Sequence, residues 1–142
     1  MKPASTSLAF ATERAYRARM TTIEIGKKLV ELCTAGKNEE AMTSLYSNDV
    51  VSVEAHAPPG QSAETAGLAG VLAKSKWWAD NHTVHSAKVE GPWPQGDRFV
   101  VRFTYDITMK QSGTRAVMDE AAVYTVKGDK IVREEFFYNT GA

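Results

Sequence analysis

Residues 118–138 hold two stretches of period-two apolar alternation separated by one break. Ala122, Tyr124 and Val126 alternate with Val123 and Thr125, Lys127-Gly128-Asp129-Lys130 interrupts, and the alternation resumes from Ile131 to Tyr138. That period sends successive side chains to opposite faces of a strand, so the run reads as a hairpin. Gly128 supplies the positive φ that so short a turn demands. Acids are interleaved with the aromatics: Asp119, Glu120, Glu134 and Glu135 flank Tyr124, Phe136, Phe137 and Tyr138. The combination suits a sheet that buries one face and lines something with it.

Upstream the period changes to that of helices. The spacing of Ile25, Leu29, Leu32 and Cys33 predicts a helix over 22–35, stopped by Gly36. A second helix is predicted over 38–46, capped by Asn38, with Glu39 and Glu40 where the helix dipole favours acids. Residues 50–56 are predicted to form a strand, and 57–66, with Pro58-Pro59-Gly60, a loop long enough to cover a pocket. A third helix follows over 67–81, with Leu68, Val71, Leu72, Trp78 and Ser75 inward. Strands are predicted over 83–90, 98–110, 115–126 and 131–138, the first ended by Gly91-Pro92-Trp93-Pro94. Helices followed by antiparallel strands indicate an α+β fold, with helices packed on one face of a curved sheet.

At 142 residues the chain suits one domain that buries about 68–70% of its unfolded surface. The formal charge is zero, from 17 basic and 17 acidic residues, and the basic side chains form no cluster interleaved with exposed aromatics. Nucleic acid and anionic membrane are therefore not expected partners. No apolar run approaches the ~20 residues of a membrane span, and the start lacks a signal-type apolar stretch, so a cytoplasmic location is expected. Residues 1–20 differ in composition and are read as an N-terminal arm, the domain covering 21–142. The arm is either loosely held or a helical piece that packs on a dimer partner.

Several chemistries find no support. Cys33 lies in a helix stripe and reads as a small buried hydrophobe. No glycine-rich phosphate loop is present. His56, His82 and His85 follow no metal-ligand spacing, so no metal and no cofactor are expected.

The order of elements, together with Gly36-Lys-Asn-Glu-Glu-Ala-Met-Thr-Ser-Leu-Tyr46, Val53-Glu-Ala55, Lys76-Trp-Trp-Ala-Asp-Asn-His82, Val84-His-Ser86 and the terminal hairpin, resembles the SnoaL-like proteins of the nuclear transport factor 2-like superfamily. The resemblance covers residues 22–138. It implies a cone-like curved antiparallel β-sheet wrapped around N-terminal helices, an apolar pocket at the wide end, and a homodimer through the outer sheet face. Members include isomerases, cyclases, dehydratases, hydrolases and binding-only domains, so fold leaves function open. In ketosteroid isomerase, a member of that superfamily, the general-base Asp position falls without a gap on Glu54. Its oxyanion Tyr and protonated Asp positions fall on Leu29 and at about Ala122, which have no proton to donate, so that activity is rejected.

The expected site follows from these readings. Glu54 is the candidate base, with His56 near it; the alternative is a solvated or dimer-facing acid. Glu120 shares the face of Ala122 and Tyr124 and is the candidate acid, the alternative being a salt bridge to Arg102, Arg115 or Arg133. His85 shares strand parity with Ala87 and Val89 and is read as an inward donor or a core histidine. Trp78, Phe103, Tyr105, Tyr124 and Phe136 form core or ligand wall, and Tyr46 and Tyr105 are hydroxyl donors. The expected partner is a small, largely apolar molecule bearing a carbonyl or hydroxyl, subjected to proton transfer. The rival reading is a non-catalytic binding or interaction domain.

Overall fold

The structure, a computed structural model, describes residues 19–139. The arm expected over 1–20 lies outside the described residues but for its last two. Helix α1 (Thr22–Thr34) opens on a reciprocal cap: the Thr21 hydroxyl accepts from the Glu24 N–H, and the Glu24 carboxylate accepts from the Thr21 N–H. Ile25, Leu29, Leu32 and Cys33 are its buried stripe. Gly36, at φ 74°, turns the chain so that the Lys37 N–H reaches the Leu32 carbonyl.

That tight turn sets the start of helix α2 (Asn38–Leu45). Lys37 takes the cap position without a side-chain bond, so the cap expected from Asn38 does not form. Asn38 is already helical and bonds Tyr105 instead. Tyr46 leaves the helix in extended conformation and begins β1 (Tyr46–Val53). There follow β2 (Glu64–Ala66), α3 (Leu68–Asn81), β3 (His82–Gln95), β4 (Arg98–Met109), β5 (Arg115–Lys127) and β6 (Lys130–Phe137). The short β2, inside the expected loop, pairs with β1. Strand β3 runs on past its expected end through Pro92 and Trp93, the interruption being a register irregularity between Glu90 and Trp93.

The strands lie in the order β2-β1-β6-β5-β4-β3 in one curved, unclosed sheet. Its neighbours are antiparallel except β1 and β6, which run parallel. The sheet is thus mixed rather than wholly antiparallel, because the first long strand is laid against the last. Two further irregularities matter for the site. The β3–β4 register slips between Val84 and Ser86, leaving His85 as an extra residue, and the β5–β6 register slips so that Val132 is extra.

The core lies between the helices and the concave sheet face. Ile25 and Leu29 are buried beside Phe99, Val101 and Tyr124, and the Phe99 and Tyr124 rings stack 5.0 Å apart. Each large apolar side chain so buried stabilises by about 1.5–3 kcal/mol. Close approach of α1 to β3 requires Gly26: a Cβ there would stand 2.9 Å from Pro92 Cβ. Among the described residues, no helix is long and apolar enough to cross a membrane.

Candidate functional site

A cavity of about 790 Å³ opens between the concave face of the sheet, the three helices and the segment after β1. Apolar and aromatic side chains make most of its wall. Three carboxylates, Glu54, Glu120 and Glu134, and one ammonium, Lys74, line it as well.

Most of these groups form one hydrogen-bonded chain. Tyr46 donates its hydroxyl proton to Glu134, which Ser52 also bonds. The Lys74 ammonium donates to Ser52 Oγ at 2.6 Å and to Glu54 Oε1 at 2.7 Å. Tyr138 donates to the other oxygen of Glu54 at 2.9 Å. The parallel β1–β6 pairing makes this possible, since it sets Ser52 opposite Glu134.

Burial pushes Glu134, 3% exposed, above the ordinary carboxyl range. Its bonds from Tyr46 and Ser52 and the charge of Lys74 oppose that rise, and the charge of Glu54 adds to it. Burial likewise drives the Tyr46 hydroxyl well up, with the adjacent Glu134 charge in support, so Tyr46 acts as a donor and not as a phenolate. Tyr138 is pushed up to about 12 by burial and by Glu54.

Glu120 is different. Among the described residues it has no ion pair and no side-chain hydrogen bond. Burial, then the charges of Glu54 and Glu134, push it up to about 7, with Lys74 opposing. It lies opposite Phe103 in the β4–β5 register, and its neighbour Asp119 points the other way, to Arg102 at 2.8 Å on the outer face. The other two expected counter-ions are also engaged elsewhere: Arg115 lies 2.9 Å from Asp106 and Arg133 lies 3.1 Å from Glu135.

The structure brings together Glu54, Glu120, His56, Trp78, Phe103, Tyr105, Tyr124, Phe136 and Tyr46 at this cavity, with His56 on its exposed rim. His85 is not among them. Its position as the extra residue of a bulge turns it to the outer face, where it is exposed and stands 2.7 Å from Thr108 Oγ1. Cys33 borders the cavity, but burial raises its thiol to about 12, which leaves essentially no thiolate near neutral pH.

Sequence reasoning missed Lys74, Glu134, Tyr138 and Ser52 as a set. Lys74 follows Val71 by three and precedes Trp78 by four, a helical spacing that places it on the inward stripe. Its charge argues for solvent instead. Glu134 carries no such signal, because strict alternation from Ile131 turns it outward and the extra residue Val132 turns it back in.

A model of the SnoaL-like domain family matches residues 20–138. No curated protein matches the chain. Among solved structures, a Mesorhizobium loti protein described as a candidate SnoaL-like polyketide cyclase is 43% identical, with a TM-score of 0.79 over 84% of this chain and 100% of that one. A candidate isomerase from Bacillus subtilis is 19% identical, with a TM-score of 0.70 over 84% of this chain and 90% of its own. A candidate polyketide cyclase from Pseudomonas putida is 20% identical, with a TM-score of 0.63 over 85% and 93%. The last two share the fold; the family model and the M. loti structure carry more, and on them this chain belongs to the SnoaL-like domain family.

Proposed function

We propose that the cavity binds a small, largely apolar molecule and that Glu120 passes a proton to or from it. The reaction class is cofactor-independent isomerisation, cyclisation, dehydration or hydrolysis. The observation that carries this reading is the state of Glu120: a carboxyl in an aromatic cavity, without an ion pair or side-chain hydrogen bond among the described residues, with a pKa of about 7. A proton-transfer group works best when its pKa lies near the working pH, and one such group contributes about 10²–10⁴-fold. Glu54 is held at both oxygens, by Lys74 and Tyr138. Its role is then a fixed negative charge that orients the ligand and keeps Glu120 basic. Among the candidate reactions, ring closure agrees with the description of the M. loti relative as a candidate polyketide cyclase.

The test starts with native mass spectrometry of purified protein, beside a thermal-shift screen of small ketones, phenols, terpenoids and sterols. A bound mass, or stabilisation by one class, names the compound to assay. Glu120→Gln should then lose about 10²–10⁴-fold in kcat with its fold intact, and Glu54→Gln should also lose turnover. Unchanged turnover in folded Glu120→Gln would remove that residue from the mechanism.

A second reading is a binding-only domain. The ion pair that ties Glu54 to Lys74 supports it, since a paired acid is a poor base. Ligand binding without turnover would favour it. In either case we propose a homodimer through the outer sheet face, where Val117 and Phe137 are 67% and 55% exposed. A monomer mass by light scattering at micromolar concentration would contradict the dimer.

A further inference from the structure

Among the described residues, the acids Glu54, Glu120 and Glu134 and the ammonium of Lys74 line the cavity, with His56 at its rim. Lys74 is already engaged by Glu54 and Ser52, and it stands 5.5 Å over the Phe136 ring. Glu134 is covered by Tyr46 and Ser52. Glu120 is left without a counter-ion among the described residues. It is opposite Phe103, whose ring stacks on Tyr105 at 5.9 Å, and Trp78 continues the row 5.6 Å from Tyr105.

A carboxylate without an ion pair, beside aromatic rings, is complementary to a positive charge with an apolar skin. The ring faces attract the cation, the carboxylate neutralises it, and removal from water strengthens both terms. An anionic ligand meets repulsion from ionised Glu120, and a neutral ligand leaves that carboxylate without an ion-pair partner. We propose that the ligand of this cavity is a compact organic cation, an alkylammonium whose charge rests at Glu120 and whose alkyl groups face Trp78 and Tyr105. This rests on the reading of the cavity as the ligand site, and it adds the substrate class.

Binding of such a cation favours the ionised form of Glu120. The titratable groups that face Glu120 are Glu54 and Tyr138 beyond the strand ends, Glu134 on β6, Lys74 on α3, Tyr105 on β4 and Tyr124 on β5. The tyrosines stay neutral near pH 7 because burial raises all three, so proton release on binding reports chiefly on the acids.

The test compares choline with its neutral carbon isostere, neohexyl alcohol, by titration calorimetry near neutral pH in buffers of different ionisation heat. Choline should bind about tenfold more tightly or better, with protons released. The preference should vanish in Glu120→Gln, whose melting curve verifies the fold. Equal binding of the two probes, or proton uptake with choline, overturns the cation while leaving the cavity reading intact. Failure of both probes to bind also overturns it, and the screen of neutral compounds then decides separately whether the cavity takes any ligand.

Discussion

Lys74 Nζ stands 2.7 Å from Glu54 Oε1 and 2.6 Å from Ser52 Oγ, so one ammonium reaches one acid directly and a second, Glu134, through the serine that also bonds it. The arrangement lets two carboxylates remain in a half-buried site that would otherwise repel them.

Replacing Lys74 by Met should therefore disturb more than one contact. It leaves Glu54 without its cation, and the pair is only 28% and 30% exposed. The expected cost is about 1–3 kcal/mol, checked by chemical denaturation. Lys74 also holds Glu120 down, so Glu120 should titrate above its present value of about 7. An NMR titration of the glutamate carboxyl carbons reads that shift.

Glu120→Gln should alter the pH dependence of stability. The folded pKa of about 7 lies above the ordinary 4.5, so the native state holds this proton more tightly than the unfolded chain. Wild-type stability then falls as pH rises through that window and levels off above it. Gln does not ionise, so the variant should gain on wild type across the window, by about 2 kcal/mol after allowance for partial exposure. Glu134 is raised in the same direction and depresses both proteins, so the difference between their melting temperatures isolates Glu120.

Tyr46→Phe removes one of the two donors to buried Glu134 while leaving the ring in place. Expected destabilisation is about 1–3 kcal/mol. The loss should grow with pH, because the ionised form of Glu134 is the one that needs the donor. Denaturant curves at acidic and alkaline pH check both parts.

Gly26→Ala tests the seat of α1 on β3. Alanine would favour the helix by about 1 kcal/mol over glycine. Its Cβ, however, would stand 2.9 Å from Pro92 Cβ and 3.3 Å from the Phe99 ring, in a place with little room to give. Overpacking of that kind costs about 1–3 kcal/mol, so the net effect should be a lower melting temperature. A rise would show that the helix shifts freely.

The elements were legible wherever one local pattern held without interruption. The stripe of Ile25, Leu29 and Leu32 and the alternation of Ala122, Tyr124 and Val126 became helix and strand within a residue or two of their expected bounds. Glu120 could be placed inward because the β4–β5 register runs unbroken from Arg98 to Thr108. His85 and Glu134 show the opposite case. One inserted residue reverses which face a strand presents, and neither His85 nor Val132 is of a type that marks a bulge. The parallel pairing of β1 with β6 was illegible for another reason, since partners so distant leave no trace in local spacing.

That pairing has a consequence in time. Tyr46 and Glu134 are 88 residues apart, and Glu54 and Tyr138 are 84. No growing chain can assemble the acid network until β6 is made, so β1 waits for its parallel neighbour while α3 and β3 to β5 are synthesised. Contacts of such separation slow folding. Because β6 lies between β1 and β5, loss of residues 131–138 would take Glu134 and Tyr138 from the cavity and remove the strand that joins the Ser52 side of the site to the Glu120 side.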